Sequence, residues 1–432
     1  VLMVCAVLAA APAVAQVAPL APVETASLAR DPFSTGLLSK SEGGLGGDLW
    51  EGASPAALSS LLAQMPVRPA SPSIGAALRR TLLTSGTGPA GASAALGGAK
   101  LAALARAGFG EEARIIESLS SALNGDPKID EAMAVVDLLS GDVDEACQKN
   151  ARLTRGRDTP FWVKLRILCY AAANELDAAE LALGLLREQN ALTDADEAIM
   201  TPLAAGGQPK APAAPEGPVH YAALRLMKAP ISPALLGDAE AGVVKATAMD
   251  VGADWPTRIS AAVRAVSMGV MSGAELKALF AAVPLDVAAI SAAAEGLQGR
   301  PSDPMADVAA YQSIQAMAAP EFLRDKSALI AKAIAAANSF PRAFAASVLY
   351  ADDIKSLEGA IVGPQEAQSF ALARMAIGDS EGAVKWLLAM QSGGFGGLAE
   401  EEALSFIRHV GLLSALDGAA AQAVAAAANI AI

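Results

Sequence analysis

The sequence predicts an all-α fold of stacked antiparallel helical hairpins, arranged in two segments. Of the 432 residues, 102 are alanine, the best helix former, whereas only 4% are aromatic. Strands draw on aromatic and β-branched residues, so this composition disfavours a β-sandwich or a β-barrel. The chain is 53% hydrophobic, which excludes a disordered protein, because disordered chains lack the apolar residues needed to collapse. Short connections between the predicted helices make them antiparallel neighbours.

The first fifteen residues have the pattern of an export signal. Val1 to Val14 form an apolar run, and Ala13 and Ala15 place small residues at the −3 and −1 positions of a signal-peptidase site. The run is shorter than the roughly 20 residues that a membrane-spanning helix needs. We therefore expect residues 1–15 to be a signal peptide, and the mature protein to be periplasmic and soluble without a membrane span. The alternative is a buried N-terminal helix.

The rest of the chain divides at two stretches rich in proline and glycine. Residues 16–53 are predicted to form a flexible tether, and helical signals begin at Ser54 and Pro55, an N-cap serine followed by a proline. We assign 54–203 and 219–432 to two helical repeat segments, joined by a flexible linker at 204–218. Prolines mark many of the helix breaks in the second segment. Its candidate helices are 219–228, 233–249, 257–268, 272–282, 285–297, 303–317, 320–338, 342–357, 365–377, 380–391, 399–416 and 419–430.

A short turn sequence recurs along the chain. Gly108–Ala113 (GFGEEA), Gly141–Ala146 (GDVDEA) and Asn174–Ala179 (NELDAA) begin 33 residues apart, and Gly378–Ala383 (GDSEGA) follows 204 residues after the third. Glycine or asparagine tolerates the left-handed conformation that ends a helix, and an acidic residue favours the start of the next helix. The final alanine lets the two helices approach closely. Each turn therefore predicts a helical hairpin.

This turn resembles that of the tetratricopeptide repeat, which typically reads GDYDEA in a period of 34 residues. Gly141–Ala146 matches it best, with Val143 in the position of the aromatic residue. The resemblance covers residues 98–190 and extends to 364–392. It implies an α-solenoid whose concave face binds peptides or proteins. The alternative is a set of generic helical hairpins in an alanine-rich chain.

The charge distribution has one local exception. The chain carries 32 Lys and Arg against 45 Asp and Glu, a net charge of −13, which disfavours nucleic acid as a partner. Six basic residues nevertheless fall within one stretch, and we predict that they bind an acidic protein or an anionic envelope polymer. The alternative is a solvated loop with intramolecular ion pairs. The six residues are Lys149, Arg152, Arg155, Arg157, Lys164 and Arg166.

Cysteine use follows from the expected export. Removing residues 1–15 would leave two cysteines, Cys147 and Cys169. In an oxidising compartment an even pair is a candidate disulfide, and the alternative is a pair of buried thiols.

Residue patterns typical of catalysis are scarce. The two histidines, His220 and His409, lie far apart and are expected to be structural. Gly86–Gly91 (GTGPAG) fits the G-x-G-x-x-G pattern, but a helical segment precedes it, where a dinucleotide site needs a strand. We predict no cofactor and no metal site, and a non-enzymatic scaffold or adaptor in an envelope assembly such as a secretion, pilus or flagellar complex. The alternative is a helical accessory domain of a peptidoglycan-processing enzyme.

Overall fold

The computed structural model describes residues 31–120, 125–213, 215–299 and 303–392, and this part of the chain is all-helical. It contains twenty-one α-helices, no β-strand, and one isolated bridge between Leu38 and Thr84. The predicted all-α class is thus confirmed for these residues. The signal peptide predicted at 1–15, His409, and the candidate helices 399–416 and 419–430 lie outside them.

The helices are short and follow one another through brief connections. Helices α1 to α10 are Pro55–Ala63, Pro72–Leu83, Ala94–Arg106, Gly110–Leu119, Pro127–Ser140, Val143–Arg152, Pro160–Ala172, Leu176–Glu188, Asp194–Ala204 and Pro218–Leu226. Helices α11 to α21 are Ala241–Met249, Trp255–Ser267, Gly273–Ala282, Val287–Ser291, Ala293–Gly299, Pro304–Ala316, Leu323–Ala336, Phe340–Leu349, Ala351–Ser356, Pro364–Ala376 and Ser380–Ser392. The described residues also include 3-10 helices at Lys40–Glu42, Pro233–Gly237 and Pro320–Phe322.

Proline sets many of the helix starts. Helices α1, α2, α5, α7, α10, α16 and α20 each begin at a proline, whose fixed φ suits the first helical turn, where no backbone N–H is needed. The Ser54 hydroxyl caps α1 by accepting the Ala57 N–H, as its sequence position predicts. The candidate helix 233–249 is divided, because the 3-10 turn ends at Gly237 and α11 begins only at Ala241.

The four recurrent turns share one backbone geometry. Each first residue has a positive φ, and the next N–H donates to the carbonyl five residues earlier, which is the longer bond of a Schellman cap. The alanine that closes each turn is fully buried between its two helices. The hairpins predicted at these turns are therefore present. The first residues, with φ of 92°, 87°, 59° and 82°, are Gly108, Gly141, Asn174 and Gly378.

Residues 31–53, which lie in the predicted tether, pack against the first helices. Phe33 and Trp50 are buried and belong to the main hydrophobic core. The Leu38 N–H donates to the Leu83 carbonyl, and the Leu38 carbonyl accepts the Ser85 N–H. The predicted flexible tether is therefore packed against the helices over residues 31–53, since burial of each of the two aromatic side chains contributes on the order of 2 kcal/mol.

The hydrophobic core continues across the predicted linker. Residues 205–217 connect α9 to α10, and the described ones, 205–213 and 215–217, form no helix. Helix α10 nevertheless packs against α5, α7 and α9. One cluster of buried side chains contains both Leu168, before this connection, and Val219, after it. Helix α11 also packs on α3 and α5, and a Cβ at Gly242 would lie only 2.5 Å from the Ala105 carbonyl oxygen. The two predicted segments therefore share buried surface.

Candidate functional site

An open groove lies where α3, α4 and α5 meet α10, α11 and α13, and we call it the central groove. Its volume is about 440 Å³, and its walls come from both sides of the predicted linker. Ligand sites commonly form in such clefts between packed units, because side chains from distant parts of the chain converge there. The side chains that define the central groove are Glu111, Leu139, Tyr221, Arg225, Lys245, Met249, Asp250, Val251 and Glu275.

Arg225 is held rigidly in the central groove. Its Nε and Nη2 lie 2.7 and 2.9 Å from the two carboxylate oxygens of Asp250, whose side chain is almost fully buried. The guanidinium also lies 5.8 Å from the ring centre of Tyr221. Burial and the charge of Asp250 raise the pKa of Tyr221, so its hydroxyl stays protonated. This bidentate pair, whose carboxylate is buried, gives the groove a fixed polar floor.

Apolar side chains are exposed beside that polar floor. Met249 is 51% exposed and Val251 is 86% exposed. Lys245 lies 3.8 Å from Glu275, whereas Glu111 has no ion-pair partner among the residues that the structure describes. Exposed apolar groups next to fixed hydrogen-bonding groups are typical of surfaces that bind proteins.

No pattern in the sequence points to these groove residues. Arg225 and Asp250 lie 25 positions apart, and only the packing of α10 beside α11 brings them together. No spacing pattern links them, because the side chains meet through tertiary structure and not along one helix.

Two of the six predicted basic residues form ion pairs with buried carboxylates of the protein itself. Lys149 lies 2.6 Å from Asp137, and Lys164 lies 2.7 Å from Asp196. Both carboxylates are almost completely buried. Leaving a buried carboxylate without its partner would cost about 3 kcal/mol of folding stability. These lysines therefore stabilise the fold.

The Asp196 carboxylate is the centre of a buried network that includes His220. The imidazole Nε2 lies 2.8 Å from Asp196 Oδ1, and Nδ1 accepts the Glu216 N–H at 3.3 Å. Burial alone would raise the pKa of Asp196, but hydrogen bonds from His220, Lys164 and Thr193 outweigh it and hold that pKa well below its usual range. The network ties the 205–217 connection to α9 and α10, so the position of His220 is structural.

The other four predicted basic residues remain at the surface. Arg152, Arg155 and Arg157 are exposed, and Arg166 is half-buried. The Arg152 guanidinium donates to the Gln148 side chain. Within the described ranges, none of the four forms an ion pair with a carboxylate, so their charge is available to a partner.

The predicted cysteine pair is bonded in the structure. Cys147 and Cys169 form a disulfide between α6 and α7, with their Cα atoms 5.6 Å apart. The bridge ties together the two helices that flank the loop carrying Arg155 and Arg157.

Metal ions, membranes and dinucleotides each need a particular arrangement of side chains or helices. The described part of the chain holds no group of three or more His, Cys, Asp or Glu side chains suited to a metal ion. None of its helices combines sufficient length with sufficient apolar character to span a bilayer. The Gly86–Gly91 segment connects α2 to α3, so a helix precedes it, as the sequence indicates.

Comparison of the chain with protein-family models, with curated proteins and with solved structures finds no match. The fold and its surfaces are therefore the basis for the functional proposal.

Proposed function

We propose that this protein is a non-enzymatic periplasmic scaffold or adaptor that binds another protein through the surface of a tetratricopeptide-like α-solenoid in two segments. The central groove carries the proposal, because it combines exposed Met249 and Val251 with the fixed Arg225–Asp250 pair. Stable interfaces have an apolar centre bordered by hydrogen-bonding groups, and arginine and methionine are enriched there.

Two further observations support this function. The hairpin turns at Gly108, Gly141 and Asn174 share one geometry at a regular spacing, which favours a repeat array with an extended binding face. The export pattern of residues 1–15 favours a periplasmic partner. We propose that the partner belongs to a cell-envelope assembly, such as a secretion, pilus or flagellar complex.

Site-specific crosslinking tests the proposal. A photoreactive amino acid placed at Val251 should crosslink one defined protein in intact cells, because this side chain borders the groove. The same amino acid at Val287, which is 79% exposed but lies on α14, is the matched control and should not give that product.

The variant Met249→Glu should abolish the Val251 crosslink, since it places a charge among the groove's apolar side chains. Equal crosslinking at Val251 and Val287, or a Val251 product unchanged by Met249→Glu, would contradict protein binding at the central groove.

A further inference from the structure

The loop between α6 and α7 is fixed in place by four contacts. Arg166 Nη2 donates to the Arg157 carbonyl at 2.7 Å, and Gln189 Nε2 donates to the Asp158 carbonyl at 2.9 Å. The Thr159 hydroxyl donates to the Gly156 carbonyl at 3.1 Å, and the disulfide ties the flanking helices. The exposed guanidinium groups of this loop therefore project from a defined backbone, which lowers the entropic cost of binding.

Arg155 and Arg157 lie in this loop, and Arg166 contacts it from α7. No carboxylate in the described part of the chain forms an ion pair with Arg155, Arg157 or Arg166. Burial and the neighbouring positive charge of Arg157 lower the pKa of Arg166. Arg166 Nε is buried and lacks a hydrogen-bond acceptor among the described residues. An anionic group bound beside Arg157 and Arg166 would offset their like charges.

A groove lined by both apolar and charged side chains begins beside Arg166. It runs along α7 and α8, has a volume of about 720 Å³, and is lined by Arg166, Tyr170 and Leu181. Leu181 is 78% exposed, so it offers apolar surface that no part of the described chain covers. Asp177, Glu180, Arg187 and Glu188 also line this groove, so charges of both signs lie along α8.

We propose that this surface, which we call the arginine groove, binds a short acidic segment of a partner protein that carries an aliphatic or aromatic side chain. The carboxylates would pair with Arg155, Arg157 and Arg166, and the apolar side chain would cover Leu181 and Tyr170. A uniformly charged polymer fits less well, because Asp177 and Glu180 would repel it and Leu181 would stay uncovered. This inference rests on the proposed protein-binding function. It adds a second binding surface and the kind of partner segment that this surface would bind.

Selection from a random peptide library tests the arginine groove directly. Panning against the full, oxidised chain should enrich peptides that combine Asp or Glu with Leu, Phe or Trp. The double variant R155E/R157E should weaken the best peptide about tenfold or more, and Leu181→Ala should weaken it severalfold. Raising NaCl from about 50 to about 500 mM should weaken binding to the wild-type chain more than to R155E/R157E.

Matched controls separate local effects from general ones. The double variant K210E/K332E changes the net charge equally at exposed lysines elsewhere, and Val287→Ala removes exposed apolar surface on α14. Both should bind the selected peptide as the wild-type chain does. Circular dichroism should show the same helical content in every variant.

Three outcomes would overturn the inference. They are a selection without acidic enrichment, peptides that bind R155E/R157E as tightly as the wild-type chain, or arginine-dependent binding of polyphosphate or anionic vesicles with no peptide binding. A crosslink at Val251 together with any of these would leave the proposed function standing and remove only the arginine groove. Arginine-dependent peptide binding without a Val251 crosslink would remove the central groove instead.

Discussion

Lys100 shows how one buried charge organises the start of the described chain. Its side chain is fully buried, and Nζ donates to the Pro32 carbonyl at 2.7 Å. The same nitrogen lies 5.0 Å from the ring centre of Phe33 and 5.4 Å from that of Trp50, so two cation–π contacts join α3 to residues 31–53. Burial lowers the pKa of Lys100 to about 7, although the charge of Asp31 opposes this shift.

Lys100 should make the free energy of unfolding depend on pH. An unfolded lysine keeps its proton up to about pH 10.4, whereas folded Lys100 loses it above about pH 7, so the unfolded state binds more protons in between. Stability from this residue therefore rises with pH across that window. We expect the free energy of unfolding of the wild-type chain, relative to Lys100→Met, to increase by on the order of 3 kcal/mol between about pH 7 and about pH 10.

Urea unfolding of both chains at several pH values measures this difference. Lys332→Met, at an exposed position of α17, is the control and should follow the wild-type profile. Parallel profiles for wild type and Lys100→Met would show that Lys100 keeps its proton in the folded protein.

At the scale of the element, local sequence predicts the hairpins and not the surfaces between them. The turn sequence predicts the positive φ of Gly141, because this turn needs a residue in the left-handed conformation and glycine adopts it without strain. The six basic residues form one run in sequence, yet Lys149 and Lys164 turn inward to Asp137 and Asp196, carboxylates that the run does not reveal. Trp50 likewise lies in a glycine-rich stretch whose composition predicts a tether, and it is buried because it packs against Lys100 of α3. Such contacts depend on residues that lie far away in the sequence, so no local repeat of residue types predicts them.

Alanine substitution in two equivalent turns distinguishes the effect of backbone strain from the effect of a close side-chain contact. Gly141 and Gly378 have φ of 87° and 82°, so alanine at either position should cost about 1 kcal/mol of stability. A Cβ at Gly141 would lie 2.5 Å from Arg225 Nη1, whereas nothing lies within 4 Å of a Cβ at Gly378. We therefore expect Gly141→Ala to displace Arg225 from Asp250 and to reduce Val251 crosslinking, while Gly378→Ala leaves crosslinking intact.

Thermal unfolding of the two variants, together with their crosslinking yields, measures both effects. Equal crosslinking in Gly141→Ala and Gly378→Ala, at equal stability, would mean that the position of Arg225 does not matter to the groove.

At the scale of the whole molecule, contacts across the 205–217 connection unite the two halves of the described chain. The Ala241 N–H donates to the Val67 carbonyl at 2.8 Å. Arg106 Nη2 lies 2.6 Å from Glu240 Oε1, a carboxylate that is almost fully buried. A Cβ at Gly75 would overlap the Met268 carbonyl, so α2 lies directly against the end of α12. Together with α10 on α5, α7 and α9, these contacts make the central groove a product of both halves.

Cleavage of the 205–217 connection should therefore leave the halves associated. A specific protease site inserted between the exposed Lys210 and Ala211 places the cut where the backbone reaches solvent. Because buried apolar side chains of both halves form continuous clusters, we expect the two fragments to elute together in size-exclusion chromatography at the volume of the intact chain. They should separate only in denaturant, and Val251 crosslinking should survive the cut. Fragments that separate under native conditions would instead show two independently folded segments joined by a tether, and the groove would then have to bind its partner through one half alone.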